Sequence, residues 1–184
     1  MNKGFTLTEL LVTLTIFLII TMAVYSGFNL SQKAYSDGQN SVEITQNGRV
    51  VMERIAREVR QAKRIIGDFP NERGSALNEI FFEDGHILES YHYIHYFKDN
   101  QEVKRQVVGY YFSEDPEETL QPRGAVPPGG QTLEEKTLEL PAIVGEWVNK
   151  LEFWGSEGVI NMSLTLEKKD KIFNLETRIF PRNF

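Results

Sequence analysis

Three things are missing from this sequence or from its first part. The chain has no cysteine, no proline before Pro70, and no lysine or arginine from Phe5 to Leu30. Because disulfides are excluded, the folded part must be stable through its core alone. Because proline is absent, a helix can run through residues 1–69 without the break that proline causes.

The segment without cations is also strongly apolar. Residues 5–30 contain one charged residue, Glu9, and would span roughly 39 Å as a helix, which is more than the hydrocarbon core of a membrane requires. Lys3 precedes the segment and Lys33 is the next cation. With so short an amino-terminal tail, the positive-inside rule places residues 1–4 in the cytoplasm. We therefore expect a single membrane span with the larger part of the chain outside the cytoplasm.

The sequence after Ser31 has the composition of an ordinary soluble domain. The whole chain has 184 residues, of which 41% are hydrophobic and 25% charged, so it suits one modest domain plus an appendage. Its net charge is −6 and it has no long basic stretch. This charge argues against nucleic acid as a partner of the domain itself.

Glu9 needs an explanation, because a charge at the centre of a lipid-embedded helix costs roughly 2.5–3.5 kcal/mol. In a plain membrane anchor, Glu9 would only reach back to the cytoplasmic headgroups. A secretory signal peptide is a second alternative, but its apolar region is about 7–15 residues long and ends at a small-residue site. Residues 5–30 are longer, and Val24-Tyr25-Ser26 is a weak cleavage site. Both alternatives remain open at this point.

The sequence MNKGFTLTELLV, residues 1–12, resembles the prepilin signature of bacterial type IV pilins and type II secretion pseudopilins. That signature is a short basic leader ending in glycine, then phenylalanine, then glutamate four residues later, then an unbroken apolar stretch. The resemblance implies that a membrane-embedded prepilin peptidase cleaves between Gly4 and Phe5 and methylates the new amino terminus of Phe5. It implies no cofactor.

The resemblance also implies a role for Glu9 in filament assembly. Cleavage creates an amine on Phe5, and the Glu9 carboxylate of a neighbouring subunit pairs with that amine. Such a pair is strong at low dielectric, although desolvation offsets part of the gain. The implied partners are other pilin or pseudopilin subunits, the prepilin peptidase and an assembly platform in the inner membrane. The implied location is the cytoplasmic (inner) membrane, followed by the filament.

Residues 31–66 keep a helical period. Their apolar stripe has spacings of four, four, three and four residues: Val51, Ile55, Val59, Ala62 and Ile66. Three charge pairs lie four residues apart on the other surface: Arg49 with Glu53, Glu53 with Arg57, and Arg54 with Glu58. This surface is either solvated or in contact with neighbouring subunits. Contact is considered because the segment is rich in cations, unlike the acidic chain as a whole: Arg49, Arg54, Arg57, Arg60, Lys63 and Arg64.

The patterns together predict one helix from Phe5 to about Ile66, with local loosening near Gly27, Gly38 or Gly48. From residue 67 the period changes to two, which predicts antiparallel strands. The predicted strands are Glu79–Glu83, Tyr91–Phe97, Val107–Phe112, Leu151–Trp154, Ile160–Leu166 and Phe173–Ile179. Turns at residues 98–101 and 168–171 close two hairpins, and residues 113–131 form a loop rich in proline and glycine.

The predicted fold class is therefore α+β and pilin-like, with a long amino-terminal helix packed on an antiparallel β-sheet head. The predicted domains are a leader peptide at 1–4, a transmembrane and assembly helix at 5–30, an amphipathic helix at 31–66, and a β-sheet head at 67–184.

Candidates for catalysis or metal binding are few. His92 and His95 are three residues apart, so on a strand they point to opposite faces and do not chelate one metal ion. An acidic cluster in the loop is either solvated or a calcium site: Glu114, Asp115, Glu117 and Glu118. No phosphate-binding loop or nucleophile elbow is recognisable. We predict that the protein is not an enzyme.

A finer resemblance links the chain to minor pilins and J-type minor pseudopilins, which prime or cap filaments. It rests on residues 47–60, on the hairpin that closes the sequence, and on residues 178–183. Glu9 argues against the tip pseudopilins that lack this acid, and the absence of cysteine departs from the paired-cysteine loop of many major pilins. The filament would serve secretion, DNA uptake, motility or adhesion. The alternatives are a membrane-anchored extracytoplasmic binding or sensor domain and an exported soluble enzyme.

Overall fold

The computed structural model describes residues 6–86, 90–156 and 158–182. The chain divides into two compact units, residues 1–42 and 43–184. Helix α1, Leu7–Gln61, is continuous, and none of the three glycines inside it interrupts the helix. All described side chains from Thr6 to Gln39, in the first unit, are exposed. This exposed part of α1 is long and apolar enough to cross a membrane.

Helix α1 ends five residues before the predicted boundary at Ile66. The stripe residues Val51, Ile55 and Val59 are completely buried, and Ala62 is buried just beyond the helix. The Lys63 N–H then donates to the carbonyl of Glu83 at 3.0 Å, and Arg64–Ile66 forms strand β1. The chain leaves the helix at this point because its backbone joins a sheet, which the apolar spacing alone does not reveal.

The second unit contains a five-stranded and a three-stranded sheet, both antiparallel and both ordered as the strands follow in sequence. The large sheet has strands β1, β2 (Glu79–Glu83), β3 (Tyr93–Asp99), β4 (Glu102–Phe112) and β5 (Leu133–Gly145). The small sheet has strands β6 (Val148–Ser156), β7 (Val159–Lys168) and β8 (Lys171–Ile179). A short 3₁₀ helix, Arg73–Ser75, lies between β1 and β2.

Each strand predicted from the alternating pattern is present, β2 with the predicted ends and the others with shifted or extended ends, but β1 and β5 were not predicted. Strand β5 is an edge strand whose residues are mostly exposed, so it lacks the alternation of a half-buried strand. It also contains Pro141, which is tolerated at a sheet edge because the proline nitrogen has no hydrogen to donate.

The second half of α1 packs against both sheets. A Cβ atom on Gly48 would lie 2.7 Å from Cδ1 of Leu166 on β7, and one on Gly145, at the end of β5, would lie 2.3 Å from Cγ2 of Val51. The resulting core joins helix residues such as Ile55 to Phe82 on β2 and Phe153 on β6. The predicted α+β, pilin-like arrangement is confirmed.

Successive residues along the strands of the large sheet point to opposite faces, and both faces are apolar. Ile80, Phe82, Ile94 and Tyr96 belong to the core that contains the helix stripe. Phe81 and its neighbours belong to a second cluster around Tyr93, Val108 and Tyr110. The sheet is therefore apolar on both sides, and its second face is available for the loop that follows β4.

Candidate functional site

The start of helix α1 holds the first candidate residue, Glu9, in a capping box. The N–H of Thr6 donates to Oε2 of Glu9 at 2.9 Å, and the Glu9 N–H donates to Oγ1 of Thr6 at 3.3 Å. The Thr6 hydroxyl also donates to Oε2 of Glu9 at 2.8 Å. Reciprocal bonds of this kind satisfy amide groups that a helix start otherwise leaves without partners. Glu9 therefore has bonding partners within its own chain.

Threonine hydroxyls in the apolar segment are satisfied in a similar way. The hydroxyls of Thr13, Thr15 and Thr21 donate to carbonyl oxygens three or four residues earlier in the helix, at 2.8–3.1 Å. Such bonds reduce the cost of placing a hydroxyl in an apolar environment. The segment thus presents its large apolar side chains as an outer surface, and examples at 52–77% exposure are Leu7, Leu14, Phe17, Ile20 and Met22.

Gly4 and Phe5 lie outside the described residues. Cleavage between them and methylation of Phe5 therefore remain predictions from the resemblance, as does the pairing of Glu9 with the Phe5 amine of a neighbour. Thr6 was not singled out from the sequence, although the Thr-x-x-Glu spacing of Thr6 and Glu9 is the signature of a capping box.

A charged cluster fastens the second half of α1 to the large sheet. Arg105 on β4 donates from Nε to Oε2 of Glu58 at 3.0 Å and from Nη1 to Oε2 of Glu139 at 2.6 Å. The side chains of Arg105 and Glu58 are only 16% and 14% exposed. Burial, together with the negative charge of Glu58, raises the pKa of the Tyr96 phenol beside them. Among the described residues, Arg54 with Glu58 at 3.5 Å is the only predicted four-residue pair that forms.

Two further clusters hold the small sheet. Lys168 on β7 reaches Glu43 of α1 at 2.6 Å and lies 3.7 Å from the centre of the Trp147 ring. Arg73 pairs with Glu152 at 3.1 Å and lies over the ring of Trp154. The backbones of Leu77 and Phe153 exchange hydrogen bonds at 2.9 and 2.8 Å, which covers the free edge of β6. The charged residues of these two clusters therefore have a structural role, because they connect the small sheet to neighbouring segments.

The two histidines considered as metal ligands have separate partners. Nδ1 of His92 lies 2.6 Å from the Ser90 hydroxyl, and Nε2 of His95 lies 2.9 Å from Oε2 of Glu79. Within residues 6–86, 90–156 and 158–182, no group of three or more histidine or acidic residues is placed to hold a metal ion.

The acidic residues of the loop that follows β4 also have bonding roles. Asp115 accepts hydrogen bonds from the N–H groups of Glu117 and Thr119 at 3.0 and 2.9 Å, and these bonds lower the pKa of Asp115. Glu118 pairs with Lys136 on β5. The geometry supports a loop organised around Asp115 more directly than a calcium site, whose oxygen ligands would converge on one point.

The same loop returns over the aromatic face of the large sheet. The N–H of Arg123 donates to the Tyr93 hydroxyl at 2.9 Å, and the Arg123 guanidinium lies 4.7 Å from the centre of the Phe81 ring. Tyr110 donates to Glu135 at 2.9 Å, and burial, with this bond, raises its pKa to about 12. A cavity of about 360 Å³ remains beside Arg123, with Phe81, His95 and Tyr110 in its wall. No motif or periodic pattern in the sequence singles out Arg123.

Comparison with known proteins bears on the first 25 residues. A family model described as the prokaryotic N-terminal methylation motif matches residues 1–25. No curated protein and no solved structure matches the chain. The matched residues include Gly4, Phe5 and Glu9, and they run into the exposed apolar part of α1. The motif indicates a type IV pilin-like prepilin leader, and it supports a protein of the type IV pilin or pseudopilin type.

Proposed function

We propose that this chain is a minor pilin-like subunit that assembles into a type IV pilus-like filament, or primes or caps one, through its amino-terminal helix. The observation that carries this proposal is the methylation motif at residues 1–25, which continues into a helix whose apolar side chains are exposed. A helix of that kind requires lipid or other apolar chains around it. A filament of similar subunits supplies such a surface.

The proposed precursor sits in the cytoplasmic (inner) membrane with residues 43–184 outside the cytoplasm. Lys3 and the absence of cations at residues 5–30 support that orientation. A prepilin peptidase cuts between Gly4 and Phe5 and methylates Phe5, and an assembly platform then passes the chain to other subunits. The domain order that follows is leader 1–4, membrane and assembly helix 5–30, amphipathic helix, and head. The role is structural, without catalysis or a cofactor.

The proposed role of Glu9 depends on a second partner, which a neighbouring subunit supplies. In the single chain its carboxylate accepts hydrogen bonds from Thr6, so it does not enter the membrane without partners. In the filament, the cationic amine of a neighbour's Phe5 provides an ion pair in addition to these bonds. An ion pair at low dielectric is sensitive to small displacements, so it would fix the axial position of the incoming subunit.

The minor, priming or capping role is the finer part of the proposal. It is supported by the basic pattern at residues 47–60, by the β7–β8 hairpin near the end of the sequence, and by residues 178–183. The proposed filament serves secretion, DNA uptake, motility or adhesion.

Intact mass and amino-terminal sequencing of the protein from its own cells test the proposal. We expect a chain that starts at methylated Phe5. A Glu9→Gln variant should be processed normally but remain in the membrane fraction, because only the negative charge is lost. Asp37→Asn, which removes an exposed carboxylate from the same helix, is the matched control and should assemble. Retention of Met1, or a start near Gly27, would overturn the proposal.

A second candidate function, a membrane-anchored binding or sensor domain, is favoured by the cavity of about 360 Å³ beside Arg123. This alternative requires that residues 1–4 stay on the mature protein and that Glu9→Gln has no effect on location. The same two measurements therefore separate the candidates.

A further inference from the structure

A cationic cleft lies where the end of helix α1 meets the end of strand β8. It is lined by Arg57, Arg60, Gln61, Phe180 and Arg182, and its volume is about 280 Å³. It lies apart from the charged cluster of Arg105 and from the cavity beside Arg123. Neither the methylation motif nor the proposed role of Glu9 involves it.

The two sides of this cleft are built by different elements. Arg57 and Arg60 are three residues apart on the exposed side of α1, so their side chains lie on one surface of the helix. Strand β8 is anchored by Ile179, which is completely buried and pairs with Ile160. The next residue, Phe180, points outward and is 62% exposed. Arg182 then brings a third guanidinium to the cleft from a distant part of the sequence.

The cationic charges of this cleft have no ion-pair partner within residues 6–86, 90–156 and 158–182. No carboxylate is among its lining residues, and none of its three arginines forms an ion pair with any residue the structure describes. Arg54, Arg73 and Arg105, in contrast, each pair with a glutamate. The imbalance is notable because the whole chain has a net charge of −6.

The helix explains why a cation stands at Arg60, but it does not explain why Arg57, Arg60 and Arg182 lie together. Arg60 lies in the last turn of α1, where a cation interacts favourably with the helix dipole. Arg57 lies a turn earlier, and like charges three residues apart on a helix repel each other. Arg182 does not belong to the helix. Three guanidiniums around an exposed phenylalanine therefore form a site that an anion would stabilise.

We propose that this cleft binds an acidic surface segment of an adjacent pilin-type subunit, with carboxylates on the arginines and an apolar side chain against Phe180. The inference rests on the proposed function, because it requires a neighbouring subunit. Guanidinium groups form paired hydrogen bonds with carboxylates, and aromatic residues and arginine are typical anchors of protein interfaces. Nucleic acid fits less well, because it requires a basic stripe along successive phosphates and would be repelled by a chain of charge −6.

A photocrosslinker in the cleft tests this assignment on the full chain in its own cells. With p-benzoylphenylalanine in place of Phe180, illumination should crosslink the chain, in the filament fraction, to a protein that itself has a prepilin leader. Peptide mapping should locate the crosslink next to aspartate or glutamate. The triple variant Arg57→Gln, Arg60→Gln, Arg182→Gln should lower the crosslink yield by about tenfold or more, because it removes charge-assisted pairs.

The matched control is the triple variant Lys150→Gln, Lys169→Gln, Lys171→Gln. It removes the same charge from exposed positions of the small sheet, and it should crosslink as the unmodified chain does. Replacing the mapped acid of the partner with lysine should restore crosslinking to an Arg57→Glu variant. This rescue separates a direct charge pair from a loss of folding.

Two kinds of failure are distinguishable. If the chain starts at Phe5 and enters the filament, but the arginine variant crosslinks as strongly as the control, the cleft assignment is wrong and the proposed function stands. Crosslinks to nucleic acid, to lipid, or to a protein segment without acidic residues also overturn the assignment. If residues 1–4 are retained and the chain never enters a filament, the proposed function fails and this inference fails with it.

Discussion

Helix α1 contains apolar residues in both of its halves, but these residues have opposite environments. From Leu7 to Gln39 every side chain is exposed, including leucine, isoleucine and phenylalanine residues. From Ile44 to Val59 the apolar side chains on one surface are buried in a core, and Val51, Ile55 and Val59 are completely inaccessible. The second half is buried because two sheets of the same chain cover it.

This difference shows that hydrophobicity alone does not determine burial in this helix. The first half is the more apolar one, yet in the part of the chain that the structure describes nothing covers its surface. Glu9 and the threonines of its apolar segment nevertheless have hydrogen-bond partners, in the capping box at Thr6 and on the carbonyls of the helix backbone. The first half is thus suited to lipid or to other helices, whereas the second half belongs to the head.

The largest expected effect on stability comes from replacing isoleucine with alanine in the buried half, compared with the same replacement in the exposed half. Ile55→Ala should lower the free energy of unfolding of the head by about 2–5 kcal/mol, because it leaves a cavity in the core. Ile20→Ala, on the exposed half, should change it by less than about 0.5 kcal/mol. Urea unfolding of the full chain in detergent, followed by the fluorescence of Trp147 and Trp154, measures both.

Both tryptophans lie in the second unit, so the signal reports on the head. Equal losses from the two substitutions would mean that the halves do not differ as the burial indicates. A loss for Ile20→Ala that disappears in a different detergent would point to an effect on the micelle.

The second effect concerns the charged cluster that fastens α1 to the large sheet. Arg105→Met keeps much of the apolar stem but removes the closer of the two arginines from Glu58, which is 14% exposed, and leaves it the weaker contact to Arg54 at 3.5 Å. Breaking a partly buried ion pair in this way should cost about 1–3 kcal/mol in the same unfolding experiment. Arg49→Met, at an exposed position of the helix, is the control and should cost less than about 0.5 kcal/mol.

If Arg105→Met proved as mild as Arg49→Met, the helix would be held by apolar packing alone. If Arg105→Met is costly, as expected, the double variant Glu58→Leu, Arg105→Met tests the cause. Removing both charges should recover part of the loss from the single variant, because no partly buried carboxylate is left without its partner.

The third effect concerns two glycines of α1, for which replacement with alanine should change stability in opposite directions. Gly38→Ala meets no atom within 4 Å and should raise local helix stability by up to about 1 kcal/mol. Gly48→Ala gains the same helix propensity, but its Cβ would lie 2.7 Å from Leu166 and 2.8 Å from Leu175. Because Leu166 is completely buried, we expect a net loss of about 1 kcal/mol at Gly48.

Urea unfolding measures the effect at Gly48, and amide hydrogen exchange measures that at Gly38. Stabilisation by both substitutions would show that Leu166 and Leu175 move aside easily. The helix and the small sheet would then be less closely packed at Gly48 than the structure indicates.

The sequence predicted the helix and most of the sheet because these elements carry periodic apolar residues. The stripe of Val51, Ile55 and Val59 identified the buried surface correctly, and alternation identified both hairpins. The end of the helix was wrong because Ile66 continues the spacing while its backbone joins β2. Strand β5 was missed because an exposed edge strand has little reason to alternate.

The candidate functional residues also fall into a part that the sequence predicts and a part that it does not. The leader motif was recognisable from its local spacing, and the family model confirms a leader of that kind. Contacts between distant residues were not recognisable: Arg105 with Glu58, and Arg182 beside Arg57, come together only in the fold. No periodic pattern along the chain encodes such a contact, because each requires a turn of the backbone at a specific place.

The smallest expected effect on the stability of the head comes from a change at the start of the exposed half, which acts only locally. Thr6→Ala removes the hydroxyl that accepts from the Glu9 N–H and donates to Oε2 of Glu9. Losing such a cap costs about 0.5–2 kcal/mol of local helix stability. Amide hydrogen exchange of Glu9 and Leu10 should therefore accelerate roughly two- to thirtyfold, while the urea midpoint of the head stays constant.

Thr21→Ala is the matched control, because the Thr21 hydroxyl donates only to the carbonyl of Phe17 within the helix. It should leave exchange at Glu9 and Leu10 unchanged. Unchanged exchange in Thr6→Ala as well would mean that the backbone bond from the Thr6 N–H to Glu9 is sufficient to hold the first turn. The carboxylate of Glu9 would then be positioned by the backbone alone, and side-chain variation at residue 6 would be neutral for assembly.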